Sequence, residues 1–208
     1  MDIPYLIFVF VIIVFSMVLH ELAHGFTAYK LGDDTAKNDG RLSLNPLKHI
    51  DPVMTIIVPL FLALAGMPVF GGAKPVPVNS NKVKGGEWGF ALVAFAGPLT
   101  NLLLAFIFFL LYYFVASTGI WGLFFSAGVS VNLGFCLFNI LPIPPLDGSR
   151  ILYALAPNPI KELMRAMEQY GVIVIYIILL LCGSLFGNYM GIATNGILHC
   201  FYWIVGAA

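Results

Sequence analysis

The sequence predicts an all-α polytopic membrane protein, and three observations lead to that fold class. Of 208 residues, 60% are hydrophobic and only 10% are charged, whereas a soluble domain carries about 25% charged residues. Several apolar runs are long enough to cross a bilayer as helices. The ten lysines and arginines fall in two blocks, residues 30–84 and 150–165, as expected of cytoplasmic segments. We expect about five to six transmembrane helices in one membrane-embedded domain, residues 1–208.

Charge and cysteine usage exclude several classes of protein. The formal net charge is zero, so no basic excess indicates a nucleic-acid partner. Cys136, Cys182 and Cys200 stand singly in apolar segments, which argues against a disulfide framework or a thiolate zinc site. Asp2 replaces the basic region of a signal peptide and the apolar run continues directly, so we expect the first helix to be retained.

The first half of the chain predicts one long helix and one short apolar segment. Residues 3–31 read as a single helix of about 43 Å, longer than the hydrocarbon core requires, which ends at Gly32. Residues 52–65 would extend only about 21 Å as a helix. We therefore expect this segment to enter the membrane and return, or to lie partly buried, and a complete crossing is the alternative.

Residues 69–80 predict a short re-entrant or edge β-hairpin. The segment alternates small, apolar and proline residues, which suits extended backbone better than a helix. Such an edge can hold a peptide by strand addition. We therefore assign Gly71 and Gly72 as candidate substrate-binding residues, and a plain surface hairpin is the alternative.

The second half predicts further membrane helices and a surface segment. Residues 87–116 and 119–141 are apolar helices, and the first contains Asn101, for which helix packing is the simplest explanation. Residues 149–169 mix charged and apolar side chains, as in an amphipathic segment on the membrane surface. Residues 172–205 read as a final helix pair, separated at Gly187 and Asn188.

Residues 20–24, His-Glu-Leu-Ala-His, carry the strongest chemical signal. Two histidines four residues apart on a helix lie on one face, one turn from each other, and can bind one zinc ion. Glu21 can lie beside that metal without ligating it and take a proton from water. A chance match is the alternative for the motif alone, but ionisable residues in an apolar helix indicate function.

A catalytic zinc site has three protein ligands and one position for water, so His20 and His24 need a partner. Asp147 fits because it follows a crossing that returns to the side of the histidines, where prolines force an extended backbone. A turn or helix-capping aspartate is the alternative for this residue. His49 in a polar loop and His199 in the last apolar run are weaker candidates, since each is explained by packing or by the membrane interface.

Three motifs, taken together, carry a family resemblance. They are residues 20–24 in the first helix, Gly-Pro-Leu-Thr-Asn at 97–101, and 139–148 from Asn139 to the Leu-Asp-Gly at its end. This combination closely resembles the site-2 protease family of intramembrane zinc metalloproteases, peptidase family M50. The resemblance covers about residues 3–152, which we take as the catalytic core, and the chain carries no PDZ or CBS module of the kind found in some members.

The resemblance implies roles for individual residues. It implies that His20, His24 and Asp147 bind one Zn²⁺ per chain and that Glu21 is the catalytic base. It also implies that Asn139 helps to position substrate or the reacting carbonyl. Asn101 is a further candidate for that support.

The expected activity is hydrolysis of a peptide bond in or near a transmembrane helix of a membrane-protein substrate. We expect a multi-pass protein of the cell membrane of a prokaryote, with its active site toward the cytoplasmic side. A non-proteolytic zinc-binding membrane scaffold or a metal transporter is the alternative. Transport predicts polar ligands spread across the bilayer, whereas the ligands proposed here cluster near one face.

Overall fold

The computed structural model describes residues 3–64 and 72–207, and within these ranges all regular secondary structure is helical. The α-helices are α1 Ile3–Lys30, α2 Thr35–Asn38, α3 Val58–Leu64, α4 Gly86–Phe114, α5 Gly119–Asn139, α6 Asp147–Leu155, α7 Asn158–Tyr170 and α8 Val172–Ile204. A 3₁₀ turn at Pro46–His49 and a π-helical segment at Pro52–Ile57 complete the elements.

Four helices in the described ranges, α1, α4, α5 and α8, are long and apolar enough to cross a membrane. Their most apolar 18-residue windows have a mean hydropathy of 1.7 to 2.6. The all-α polytopic class is therefore as predicted, while the candidate spans are fewer than the expected five to six. The difference arises at the short segment before α4 and at the C-terminal segment.

The C-terminal segment is two helical stretches joined at a kink, and the kink lies before the position that the sequence predicted. Gly187 and Asn188 both lie inside α8, and the backbone departs from helical dihedral angles earlier, at Cys182 (φ −118°, ψ 21°). Lipid offers no water to backbone N–H and C=O groups, so a glycine-containing stretch keeps its hydrogen bonds by remaining helical. Gly187 and Asn188 therefore do not end a helix, and the break falls at Cys182 instead.

The predicted β-hairpin near residues 69–80 is not found in the described part of the chain. Residues 72–79 form neither a helix nor a strand, and residues 65–71 lie outside the described ranges. We call residues 72–79 the extended segment, because proline at 75 and 77 disfavours helical backbone at the residue before each. Gly72 returns to the start of the preceding helical segment: its N–H donates to Met54 O (3.0 Å), and its carbonyl accepts from Thr55 Oγ1 (2.6 Å). The extended segment bonds to loops and to α1 instead of pairing with a second strand.

The end of α1 is set by a local motif. Gly32 adopts a positive φ of 101°, which glycine tolerates because it has no Cβ. Its N–H bonds to Tyr29 O and the N–H of Asp33 bonds to Ala28 O, the two hydrogen bonds of a Schellman motif. This turn releases the chain into the polar loop that follows the histidine pair.

α4 is the central helix of the bundle and packs against α1, α5 and α6. An apolar cluster of buried side chains on α4, α5 and α8 fills its far end, around Phe109 and Leu133. The most apolar window of α8 is only 6% buried, against 44% for α4 and α5. α8 therefore lies at the periphery, with most of its apolar surface available to lipid.

Charged and polar connections gather at one end of the bundle. Lys84 N donates to Leu31 O (2.8 Å), which joins the start of α4 to the end of α1. Lys161 on α7 pairs with Glu87 on α4 (2.5 Å). The predicted amphipathic segment forms two helices, α6 and α7, which a bidentate pair between Arg150 and Glu168 ties together. These contacts place one end of α1, α4 and α5 beside the amphipathic helices.

Candidate metal centre

α1 presents its two histidines to the interior of the bundle. His20 and His24 are each only 8% exposed, and their Nε2 atoms lie 3.0 Å apart. Spacing of four residues places both rings on one helix face. Two nitrogen lone pairs this close repel each other. The distance therefore requires either a proton on one Nε2 atom or a cation beside both.

A buried chain of amides sets the proton positions of His20. Asn132 Nδ2 donates to the backbone carbonyl of Gly128 (2.9 Å), which leaves Asn132 Oδ1 to accept from Asn101 Nδ2 (3.0 Å). Asn101 Oδ1 then faces His20 Nδ1 at 2.6 Å. Because this oxygen can only accept, His20 carries its proton on Nδ1 and its Nε2 presents a lone pair.

The backbone of α4 orients His24 in the same way. His24 Nδ1 lies 2.7 Å from Val93 O, and a carbonyl oxygen can only accept. His24 therefore donates through Nδ1 and also turns an Nε2 lone pair toward the interior. Outer hydrogen bonds of this kind fix the tautomer and ring orientation of metal-binding histidines.

Asp147 brings a carboxylate oxygen to the two imidazole nitrogens. It is the first residue of α6, after the proline-containing turn that ends α5. Its Oδ2 lies 3.2 Å from His20 Nε2 and 3.3 Å from His24 Nε2. The same oxygen is buried and accepts no hydrogen bond in the described structure. Three lone-pair-bearing atoms thus face one another.

The donor set fits a zinc ion. Tetrahedral zinc bound to imidazole nitrogen and carboxylate oxygen at about 2.0–2.1 Å holds its ligand atoms roughly 3.3–3.4 Å apart. The three separations observed, 3.0, 3.2 and 3.3 Å, are close to that spacing. Among the described residues, this is the group of histidine, cysteine and carboxylate side chains that could hold a metal.

Gly97 on α4 makes room for the histidine rings. A Cβ added there would clash with His24 Nε2 and His20 Cε1. The absence of a side chain at this position lets α4 approach the imidazoles directly, while Asn101 one turn later supplies the hydrogen bond to His20. The first residue of the 97–101 motif therefore gives the histidine rings space, and the last residue binds His20.

Glu21 lies outside the cluster of three and faces another part of the chain. It is half-buried, and its Oε2 accepts a hydrogen bond from the backbone N–H of Val76 at 2.7 Å. No donor in the described ranges bonds to its Oε1. The carboxylate is thus beside the metal cluster in sequence, but it is held by the extended segment that precedes α4.

The other candidates lie in different settings. Asn139 donates to Phe135 O within its own helix (3.0 Å), and Gly71 falls outside the described residues. His49 is fully buried and lies 2.8 Å from Ser43 O through Nε2, and His199 is exposed on α8. The metal cluster includes none of these residues, and the substrate roles assigned to Asn139, Gly71 and Gly72 stay predictions.

Sequence reasoning missed several groups that the fold brings to the site. Asn132 completes the amide chain, and the Val76 N–H and the Val93 carbonyl bind Glu21 and His24. A signal for Asn132 was available, because an asparagine inside an apolar helix indicates a functional or packing partner. The two backbone groups carry no signature in the sequence.

Comparison with known proteins identifies the family. A family model described as peptidase family M50 matches residues 114–183, which include Asp147. A protein of Bacillus subtilis (strain 168) named "Putative zinc metalloprotease YwhC" is 45% identical over 185 residues, which are 84% of this chain and 80% of that protein. The chain belongs to peptidase family M50, the site-2 protease family. The resemblance predicted from the three motifs is thereby confirmed.

More distant M50 relatives cover a similar share of the chain. A Mycolicibacterium smegmatis protein named "Putative zinc metalloprotease Rip2" is 33% identical over 79% of this chain and 63% of its own length. A Mycobacterium tuberculosis (strain H37Rv) protein of the same name is 31% identical over 91% of this chain and 69% of its own length. No solved structure matches this M50 chain.

Proposed function

We propose that this protein is an intramembrane zinc metalloprotease that hydrolyses peptide bonds in or near transmembrane helices of membrane proteins. The observation that carries the proposal is the convergence of two Nε2 atoms and Asp147 Oδ2 within 3.3 Å. The two histidines lie on α1, which is apolar enough to span a membrane. Glu21 lies on the same helix, and its Oε1 accepts no hydrogen bond from the described residues. Membership of the M50 family and the names of its relatives give independent support.

In this proposal, His20, His24 and Asp147 hold one zinc ion per chain. Bound zinc would polarise the scissile carbonyl and make water a better nucleophile at neutral pH. The amide chain through Asn101 and the carbonyl of Val93 keep both imidazoles in the ligating tautomer. The protein thus supplies a preorganised site whose geometry does not depend on the metal alone.

Glu21 would act as general base and then as general acid. Its carboxylate takes one proton from the attacking water and later delivers that proton to the nitrogen of the leaving amine, which balances the hydrolysis. Asn139, and the glycines at 71 and 72, are proposed to support the substrate. The Gly72 backbone bonds to Met54 and Thr55, so pairing with a substrate there would require these bonds to exchange.

The substrate class and the location follow from the setting of the site. A site between apolar helices is reached most directly by a segment that is itself embedded in the bilayer. His20 precedes the end of α1 at Lys30 by ten residues, about 15 Å along a helix, so water would reach it from that end. All ten lysines and arginines lie in the blocks at this end, and we propose that it faces the cytoplasm of a prokaryotic cell.

Purified protein and a transmembrane substrate in lipid test the proposal. Glu21→Gln should retain zinc and lose cleavage, because the amide cannot accept the proton. Asp147→Asn should lose zinc and cleavage together, since it removes a ligand. Zinc binding by the wild-type protein without cleavage of any transmembrane substrate would overturn the proposal in favour of a scaffold or a transporter. Cleavage by Glu21→Gln at the wild-type rate would remove Glu21 as the general base.

A further inference from the structure

The extended segment before α4 offers Glu21 a single hydrogen-bond donor. Residues 75–77 read Pro-Val-Pro, and proline has no N–H. Val76 therefore provides the lone backbone donor of this tripeptide, and that donor binds Glu21 Oε2 at 2.7 Å. The ring of Pro75 fixes its own φ, and Pro77 disfavours helical backbone at Val76. Together they limit the directions in which the Val76 N–H can point.

Arg41 fixes this segment from its other side. One guanidinium nitrogen, Nη2, donates to the carbonyl oxygens of Lys74 (2.9 Å) and Pro75 (3.2 Å). The N–H of Lys74 donates to His49 O (2.9 Å). The backbone on the N-terminal side of Val76 is therefore tied to the loop between α1 and the π-helical segment.

The side chain of Val76 anchors the segment against α1. It is only 6% exposed, and it packs over Gly25, where an added Cβ would lie 3.0 Å from Val76 Cγ1. Gly25 lies one helical turn after Glu21, so the same stretch of α1 carries the carboxylate and the surface on which Val76 rests. The donor residue and its acceptor are therefore both positioned by α1.

We propose that the Val76 main chain, held in place by Arg41, is a positioning group for the catalytic base. It occupies Glu21 Oε2 and leaves Oε1 to exchange the proton with water and the leaving amine. A glutamate side chain has three rotatable bonds, and one fixed oxygen removes much of that freedom before substrate arrives. This inference rests on the proposed function, since it assigns a device that acts through Glu21.

The decisive experiment removes the Val76 N–H and keeps the side chain. Replacing Val76 by α-hydroxyisovaleric acid, its α-hydroxy acid analogue, converts the amide to an ester and keeps the isopropyl side chain. The ester carbonyl of Pro75 remains as a weaker acceptor for Arg41 Nη2. The matched control is α-hydroxyisocaproic acid, the α-hydroxy acid analogue of leucine, at Leu44, an exposed residue of the neighbouring loop whose N–H bonds to no described residue. Loss of a hydrogen bond to a charged acceptor should lower kcat by about 10- to 100-fold, with KM and zinc content unchanged, while the control retains wild-type kinetics.

Arg41→Gln gives a second, genetically simple test. It should lower kcat less than the ester, by about 3- to 10-fold, because the segment loosens without losing its donor. Lys48→Gln is its control: it removes a cation of the same loop that donates to Gly40 O (2.8 Å) and does not contact the extended segment. Wild-type kinetics are expected of this control.

The outcomes separate this inference from the function on which it rests. An unchanged kcat in the Val76 ester, a rise of KM alone, or a loss of zinc would each overturn the positioning role while cleavage by the wild type continues. A KM effect would assign the segment to substrate, and zinc loss would assign it to support of the metal site. Absence of cleavage by the zinc-loaded wild-type protein would instead overturn the proposed function itself.

Discussion

At the scale of single residues, the candidate metal centre is organised by hydrogen bonds that leave lone pairs facing inward. The buried chain from Gly128 O through Asn132 and Asn101 ends on His20 Nδ1. The carbonyl of Gly128 can only accept, so it fixes the donor and the acceptor in each hydrogen bond of the chain. Both asparagines are fully buried, and satisfied amides at such depth stabilise one arrangement strongly, since an unpaired partner would be costly.

Asn101→Leu tests this reading against a role in substrate binding. The change leaves His20 Nδ1–H without an acceptor, so we expect zinc affinity to fall about 10- to 100-fold, measured by competition with a chelator. Thr100→Val is the control, because the Thr100 hydroxyl bonds only to Ala96 O within its own helix. Full zinc affinity with a raised KM would show that Asn101 serves substrate instead.

At the scale of elements, the site depends on how closely α4 approaches α1. Gly97 meets the histidine rings where any Cβ would overlap them. Small residues permit such close helix approach in membranes. The same helix then supplies Val93 O and Asn101, so a shift of α4 would disturb the space and both hydrogen bonds together.

Gly97→Ala is therefore expected to reduce zinc content and cleavage in parallel. Forcing a methyl group into this contact costs about 1–3 kcal/mol through displaced helices or rings. Gly191→Ala on α8 is the matched control, because its added Cβ meets nothing within 4 Å. Metal analysis beside a cleavage assay decides the matter, and normal zinc in Gly97→Ala would refute the steric argument.

A second joint links the end of α1 to the segment before α4 through Asp33. Its buried carboxylate accepts from the Thr35 N–H and hydroxyl and from the Asn79 N–H (2.6 Å). Burial by itself would raise the pKa of Asp33, but these hydrogen bonds and the charge of Lys82 outweigh it and hold the pKa below its ordinary value of 3.8. The ionised form is thus the one that the fold prefers.

The pH dependence of stability follows from that direction. Because the unfolded chain binds this proton more tightly, the stabilisation from Asp33 is complete above its ordinary pKa and is lost as the pH falls toward the folded value. Asp33→Asn should lower the free energy of unfolding at neutral pH by about 2 kcal/mol and flatten its decline in acid. Thermal unfolding in detergent between neutral pH and pH 3, beside Asp34→Asn at the more exposed neighbour, checks this, and equal acid sensitivity of Asp33→Asn and wild type would contradict it.

At the scale of the whole molecule, charge and apolar surface are segregated along the bundle axis. The polar connections join one end of α1 and α4 to the amphipathic helices α6 and α7. The opposite end, where α4 turns into α5, carries no lysine or arginine. Such asymmetry orients a polytopic protein in its membrane.

Labelling of single cysteines can measure that orientation. In a background with the three native cysteines replaced by alanine, Asp39→Cys should react with an impermeant maleimide only from the cytoplasmic side. Ser117→Cys, in the loop between α4 and α5, should react only from the opposite side. Reaction of both positions from one side would exclude the four-helix crossing pattern.

The membrane helices and the grouping of His20, His24 and Asp147 could be predicted from the sequence alone. Apolar length selects membrane helices, since lipid leaves the backbone few alternatives. The four-residue spacing of His20 and His24 places them together by helix geometry. Asp147 was selected as their partner from sidedness and backbone breaks, and the structure brings its carboxylate to both histidines.

Only the tertiary structure decided the contacts around these residues. His20 meets Asn101 across 81 positions and Glu21 meets Val76 across 55, and no local pattern encodes such pairs. It also replaced the expected β-hairpin with an extended segment bonded to α1. The physical reason is common to all three: a backbone N–H or buried amide takes the partner that packing brings to it, and packing is set by the whole helix arrangement.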